Sequence, residues 1–136
     1  MGANKKAFTI MELMVTLIVV GLLAGLAIPA YFRTVEESRH NEAITNLNII
    51  HMGEKIYFLN HNTFIAGNSI AALNAALNTD MSATFYTAVS VTIGGATSYT
   101  ARFTRNNTAG GAGTKWFQYA FTNGNAAPVL TEGGAY

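Results

Sequence analysis

Glu12 is the only charged residue between Lys6 and Arg33, and it lies near one end of a long apolar run. Residues 13–32 are twenty residues without a charge. As a helix they would span about 30 Å, which matches the hydrocarbon core of a bilayer. A carboxylate at the bilayer centre costs about 2.5 to 3.5 kcal/mol, and less towards its edge. Glu12 therefore has either a functional role with a partner, or an interfacial position from which it reaches the headgroups.

Other residue types that could perform chemistry are few. Cysteine is absent, which excludes disulfides, thiolate nucleophiles and cysteine zinc sites. No Ser/His/Asp set, phosphate-binding loop or pair of carboxylates occurs at a spacing that catalysis requires. We therefore predict that the chain is not an enzyme and has no cofactor or metal. Its net charge is +1 and no basic run exceeds Lys5-Lys6, so no specific nucleic-acid partner is predicted.

The three histidines and the late acidic residues do not form a metal site in the sequence. His40, His51 and His61 are spaced eleven and ten residues apart, about three helical turns each, so they cannot share one metal. We predict that they are solvated or cover a sheet. Asp80 and Glu132 are the only acidic residues after Glu54, which gives poor support to a calcium site with several carboxylates.

The composition predicts one membrane segment followed by one small domain. Half of the 136 residues are hydrophobic, but the apolar residues are concentrated in the first quarter, and residues 33–136 have ordinary soluble character. The small-residue pattern at Ala27–Ala30 runs directly into aromatic residues and a helical pattern, so we expect the apolar run to be retained. Lys5 and Lys6 favour a cytoplasmic N-terminus, with the C-terminal domain on the opposite side.

One long helix is predicted from about Phe8 to Asn60. Charged pairs four and three residues apart support helix beyond the apolar run, and an apolar stripe then continues at Ile49, Met52, Ile56 and Leu59, with Leu47 and Ile50 on an adjacent row. We expect this stripe to cover a sheet. Pro29 is expected to kink or loosen the helix. Gly21 and Gly25 form a Gly-x-x-x-Gly spacing that allows close helix approach in lipid.

The remaining residues predict a short helix and a small antiparallel sheet, giving an α+β fold. Ser69 to Leu77 is typical of a short helix with Ser69 as its N-cap. Apolar alternation predicts the strands, Gly94-Gly95 a tight turn, and residues 106–113 and 123–127 longer loops. The predicted strands are Thr84–Ile93, Ser98–Thr104, Lys115–Thr122 and, as a fourth, Val129–Thr131.

The N-terminal segment resembles that of type IV prepilins and the related pseudopilins. It reads Lys5-Lys6-Ala7-Phe8-Thr9-Ile10-Met11-Glu12-Leu13-Met14-Val15, and Pro29 and Tyr31 follow. The resemblance implies a leader at 1–7 anchored by Lys5 and Lys6, a transmembrane and filament-core helix at 8–32, and a head at 33–136. It also implies cleavage between Ala7 and Phe8, with N-methylation of Phe8. The family usually has glycine before the cut, where this chain has Ala7.

The resemblance also gives Glu12 a partner, the charged N-terminus at Phe8 of a neighbouring subunit during filament assembly. Pro29 and the two glycines, Gly21 and Gly25, would let the packed helix stretch locally. The implied partners are other copies of the chain in a helical filament, a prepilin peptidase and N-methyltransferase, an inner-membrane assembly platform, and membrane lipid before assembly. The subunit would lie in the inner membrane first and in a cell-surface pilus afterwards.

The leading interpretation is a structural subunit, and specifically a major pilin, of a filament that supports adhesion, twitching motility, DNA uptake or secretion. The alternatives are a minor pilin, a periplasmic type II secretion pseudopilin, or, from another class, a membrane-anchored binding domain that uses residues 106–113. Asn106 lies in a glycosylation triplet, a pattern common by chance. Because no disulfide can close the C-terminal segment, residues 128–136 must be held by strand pairing or neighbouring subunits, or remain mobile.

Overall fold

The computed structural model describes residues 8–105, 115–122 and 127–134. It confirms the α+β class, with a long helix and a four-stranded antiparallel sheet. The chain divides into two compact units, with the boundary between Glu37 and Ser38. The elements in chain order are α1 (Ile10–His61), α2 (Ile70–Leu77), β1 (Ala88–Gly95), β2 (Ser98–Thr104), β3 (Trp116–Thr122) and β4 (Val129–Gly133).

The first unit consists of the part of α1 up to Glu37. Its large apolar side chains are solvent-exposed, from Ile10 at 82% to Val19 at 48%. Within the described residues, α1 is the one helix that is long and apolar enough to cross a membrane, and none of its most apolar stretch is buried. This part of the helix thus presents an apolar surface all round, which is typical of a membrane span or the interior of an assembly.

The sheet of the second unit is a meander with the strand order β1-β2-β3-β4. The alternation predicted for the two central strands is confirmed, because Tyr99, Ala101 and Phe103 of β2 are buried and so are Phe117, Tyr119 and Phe121 of β3. The fourth strand is longer than predicted and pairs with β3 from Val129 to Gly133. Strand pairing therefore holds this part of the C-terminal segment without a disulfide.

Two predictions about β1 are wrong. The strand begins at Ala88 and not at Thr84, because the amides of Thr84 and Phe85 donate to the Glu42 carboxylate of α1 rather than to a strand. The pair Gly94-Gly95 is not the turn. It belongs to β1, where the register is irregular, and residues 96–97 make the turn. Gly95 has φ +144°, a conformation that only glycine adopts readily, which explains why the sequence pattern was misleading.

The hydrophobic core lies between the sheet and one face of the part of α1 after Ser38, and this face agrees with the predicted one only in part. Of the predicted stripe, Met52, Ile56 and Leu59 are 66%, 61% and 83% exposed and point away from the core. Ile49 is partly buried against the core, and the predicted adjacent row, Leu47 and Ile50, is fully buried. Besides Leu47 and Ile50, the buried face carries small and polar residues, because the aromatic side chains of the sheet already fill much of the space next to the helix. The buried helix residues are Ala43, Asn46, Leu47, Ile50, Gly53 and Glu54.

Polar side chains fix the connection between α1 and the sheet. Ser69 is the N-cap of α2, as predicted, and its hydroxyl accepts from the Ala72 amide at 3.2 Å. Asn74 bonds to both backbone groups of Met81, at 2.8 and 2.9 Å. Asn46 of α1 donates to the Ser82 carbonyl at 2.9 Å. The irregular backbone of this connection is thus satisfied by side chains.

The predicted sheet-covering role is confirmed for two of the three histidines. The His40 ring packs on Phe117 with centroids 5.2 Å apart, and the His51 ring packs on Phe121 at 5.1 Å. His61 is exposed and stacks on Tyr57, its neighbour one helical turn earlier. The helix therefore contacts the sheet partly through imidazole rings, which combine an apolar face with polar nitrogens.

Candidate functional site

Glu12 lies in the first turn of α1, which begins at Ile10. The Thr9 hydroxyl accepts a hydrogen bond from the Glu12 amide at 3.2 Å, and the Thr9 carbonyl accepts one from the Leu13 amide at 3.2 Å. Thr9 thus occupies the N-cap position and satisfies an amide that the helix leaves open. The backbone of the residue that the sequence singles out is thus held by the residue three places before it.

The N-terminal end of the helix also favours a negative charge at this position. The partial positive charge at a helix N-terminus stabilises a carboxylate in the first turn by about 0.3 to 1 kcal/mol. Thr9 and Glu12 have the Thr-x-x-Glu spacing of a capping box, a signal that the sequence analysis missed. Glu12 therefore has a local reason to be acidic in addition to any role towards another molecule.

Among the described residues, no side chain forms a hydrogen bond or an ion pair with the Glu12 carboxylate. Its neighbours along the helix are apolar and exposed, including Phe8 at 70%, Met11 at 73% and Leu13 at 54%. Among the described residues, Glu12 is thus an acceptor without a partner at one end of an apolar helix segment. It can accept a cation or a hydrogen-bond donor from another molecule, and such a contact becomes stronger where water is excluded.

The predicted helix-packing glycines have no packing reason within the described chain. A Cβ atom built on Gly21 or on Gly25 would meet nothing within 4 Å. Pro29 lies inside α1, and the helix is continuous through it. Because proline has no amide hydrogen, the carbonyl of Gly25, four residues earlier, lacks its usual helical donor. The roles predicted for these three residues in packing and stretching stay predictions.

Several predicted site residues lie outside the described residues. They are Lys5, Lys6 and Ala7 of the leader, together with Asn106 and the rest of the 106–113 loop. Phe8 is described, and it lies two residues before the start of α1. Cleavage, methylation and glycosylation therefore stay predictions.

No group of three or more histidine, aspartate or glutamate residues within metal-binding distance occurs in the described part of the chain. Glu132, one of the two acids considered for calcium, instead lies 3.7 Å from the Lys115 ammonium.

Comparisons with known proteins find relatives that align with 40% to 79% of this chain. It is 32% identical over 111 residues to "Fimbrial protein" of Neisseria meningitidis serogroup A, covering 79% of this chain and 62% of that protein. It is 36% identical over 55 residues to "Type IV major pilin protein PilA" of Myxococcus xanthus, covering 40% of this chain and 25% of that protein. It is 34% identical over 77 residues to "Type IV major pilin protein PilE1" of Neisseria gonorrhoeae, covering 54% and 44%.

The chain thus spans less than two thirds of the length of these relatives. No protein-family model matches the chain, and no solved structure matches it.

Proposed function

Because this chain is related to the type IV pilins, we propose that it is a structural subunit of a type IV pilus filament. In this proposal the first unit forms the filament core together with the same segment of other copies, and the second unit is a head on the outside. The relatives are named as fimbrial and major pilin proteins, which favours a major pilin over a minor pilin or a pseudopilin.

The observation that carries the proposal is the uncovered apolar surface of α1 between Ile10 and Phe32. Apolar surface in water costs about 25 cal/mol per Å², so a segment exposed all round needs lipid or other apolar helices around it. A membrane before assembly and a helix bundle after assembly both satisfy this requirement. Gly21 and Gly25, whose missing side chains face open space, would allow neighbouring helices to approach closely.

Glu12 is proposed as the residue that makes the correct alignment of neighbouring subunits energetically favoured. Cleavage between Ala7 and Phe8 would create an ammonium group at Phe8, and Glu12 of one copy would bind that group on a neighbouring copy. Both charges are costly in an apolar bundle, but their attraction is also stronger there, so pairing offsets the cost only when the subunits are aligned. Its first-turn position, capped by Thr9, would hold the carboxylate at one end of the segment.

The remaining partners follow from this pathway. Lys5 and Lys6 would keep the leader on the cytoplasmic side until a prepilin peptidase cuts it. An inner-membrane platform would then add the subunit to a filament on the cell surface. Adhesion, twitching motility, DNA uptake and secretion are the uses that such a filament supports.

Substitution of Glu12 tests the proposal. In cells that depend on this chain for filaments, Glu12→Ala is expected to abolish surface filaments, as counted by electron microscopy, because the mutant helix cannot neutralise a neighbour's N-terminus. Glu12→Gln, which keeps the shape and loses the charge, is expected to reduce filament number strongly. Normal filament numbers with incorporated Glu12→Ala subunits would exclude the assembly role.

Glu37→Ala is the matched control, because Glu37 is an exposed carboxylate on the same helix beyond the apolar run. Filaments should form normally with this variant. Mass spectrometry of the mature N-terminus of every variant should find methylated Phe8, which separates a defect in assembly from a defect in processing. An unprocessed Ala7–Phe8 bond in the wild-type chain would contradict the proposed pathway.

A further inference from the structure

Glu54 is a buried carboxyl group that the proposed assembly does not use. It lies on α1 in the second unit, and its side chain is fully buried at 0% exposure. Oε2 accepts a hydrogen bond from the Ile65 amide at 3.1 Å. Oε1 is also buried and has no hydrogen-bond partner among the described residues. A buried carboxylate with one hydrogen bond is unfavourable, whereas the neutral acid in the same place costs much less.

The hydrogen-bonded amide belongs to residues 62–68, which follow α1 and which we call the post-helix segment. The segment is attached to the head at three points. Phe64 is buried and stacks on Phe58 with ring centroids 4.7 Å apart. Gly67 exchanges two backbone hydrogen bonds with Val91 of β1, at 2.6 and 3.2 Å. Ile65, between these two points, is held by Glu54, so the carboxyl group lies under the middle of the segment.

Within the part of the chain that the structure describes, the groups around Glu54 supply no buried cation. Tyr99 faces Glu54 from β2. Burial, and to a smaller extent the nearby Glu54, raise the pKa of Tyr99 well above its usual range, so the Tyr99 hydroxyl stays neutral. His51, one turn earlier on α1, lies 2.6 Å from that hydroxyl through Nδ1. Burial and then Lys55 lower the pKa of His51, which keeps the ring neutral near pH 7. Lys55 itself is exposed, and the post-helix segment and α2 contain no titratable side chain.

We propose that Glu54 is a proton-operated latch for the post-helix segment: the protonated carboxyl group keeps residues 62–68 closed on the sheet, and loss of the proton releases them. In the released state water reaches the carboxylate. Hydrogen bonds from water then replace the single hydrogen bond that the Ile65 amide donates in the closed head. Opening would also break the Gly67–Val91 pair and uncover Phe64, which packs on Tyr99 and Phe121 in the closed head. The surface that the head presents would then depend on the pH of the medium.

The direction of the pH effect follows from the two states. Burial raises the pKa of Glu54 to about 7 in the closed head, although the Ile65 hydrogen bond opposes the shift. In the open state water returns the pKa towards the ordinary 4.5. Closing is therefore fully favoured below about pH 4.5 and is progressively lost as pH rises to about 7. His51 acts in the opposite direction, because its lowered pKa disfavours the closed head as pH falls below 6.5.

Hydrogen exchange of the full-length protein in detergent micelles tests the latch. Protection factors, corrected for the intrinsic exchange rate, would be compared for peptides covering residues 62–68 at pH 6 and pH 8. For Glu54 alone, a pKa of about 7 in the closed head and 4.5 in the open state give an increase of about tenfold in the opening constant over this interval. Glu54→Gln, which stays neutral and still offers an acceptor to Ile65, should remain closed at both pH values. Equal pH dependence in the wild-type protein and Glu54→Gln would overturn the proposal.

Two further measurements separate the contribution of Glu54 from that of other carboxyl groups. Glu42→Gln is the matched control, because Glu42 is a carboxylate of the same helix that accepts from the Thr84 and Phe85 amides instead. It should leave the pH dependence of residues 62–68 intact, and loss of that dependence would count against Glu54. If Glu54→Gln does not fold, ¹³C NMR of the wild-type glutamate carboxyl groups decides the question. One group should titrate near pH 7, and its absence would refute the latch.

Discussion

The two parts of α1 on either side of the Glu37–Ser38 boundary use hydrophobic residues in opposite ways. Before the boundary, large aliphatic side chains cover the whole circumference of the helix and are exposed. After it, the helix buries small and polar residues such as Ala43, Asn46 and Gly53, and exposes Met52, Ile56 and Leu59. Apolar character along this one helix therefore does not by itself indicate which side chains face a core.

The physical reason is the identity of the neighbour. The head already contains large aromatic side chains on β2 and β3, so the helix face that meets them must be narrow and must satisfy polar groups. Tyr119, for example, donates from its hydroxyl to Asn48 Oδ1 at 2.8 Å. The first part has no such neighbour in the described chain, and the proposed lipid or helix partners would require only apolarity and close approach.

Truncation of a core aromatic residue should produce the largest contrast between the two parts. Phe103→Ala, at a fully buried position of β2, should lower the free energy of unfolding of the head by about 3 to 5 kcal/mol. Leu26→Ala, at a position 79% exposed in the first part, should leave it unchanged. Urea unfolding of the full chain in micelles, followed by the fluorescence of Trp116, measures both. A comparable loss of unfolding free energy in the two variants would contradict the division of α1 into an exposed first part and a packed second part.

Glycine substitution should have a smaller effect that again depends on the part of the helix. A Cβ atom on Gly53 would lie 3.0 Å from the Leu77 Cβ, whereas one on Gly21 would meet nothing within 4 Å. We expect Gly53→Ala to destabilise the head by about 1 kcal/mol, because the steric overlap exceeds the gain in helix propensity. Gly21→Ala should not change head stability in the same urea titration. Stabilisation by Gly53→Ala would show that α2 shifts freely.

The exposed stripe of the second part should give the smallest effect. Ile56→Ser should change head stability by no more than about 0.5 kcal/mol, because the side chain is 61% exposed. Ile50→Ser, at a buried position of the same helix, is the matched comparison and should cost several times more. Both variants would be measured by urea unfolding. A large loss in Ile56→Ser would restore the predicted orientation of the stripe.

Parts of the fold could be predicted because local patterns decide them. β2 has the predicted bounds, Ser98–Thr104, because strict alternation places Tyr99, Ala101 and Phe103 on one face. Ser69 was recognisable as an N-cap because capping depends on a few neighbouring residues. The resemblance to type IV pilins, predicted from the N-terminal segment, is confirmed by the pilin relatives. The capping role of Thr9 is equally local, because the Thr-x-x-Glu spacing that indicates it lies within four residues.

Other features could not be predicted because they depend on residues far apart in the chain. The bonds from the Thr84 and Phe85 amides to Glu42 join positions about forty residues apart. They take the place of the strand pairing that was predicted to begin at Thr84. Glu54 resembles any exposed helix glutamate in the sequence. Its burial depends on residues distant in the chain, because Ile65 donates to it and Tyr99 of β2 faces it.

The sequence by itself determined the long helix, the apolar first part with Glu12 near its start, the two central strands and the relationship to pilins. These follow from local periodicity, from length and from a contiguous motif. Only the tertiary structure decided which face of the second part is buried, where the Gly94-Gly95 pair lies and which carboxyl group loses its water. Those outcomes depend on competition between distant side chains for the same space and the same hydrogen bonds, which no local pattern records.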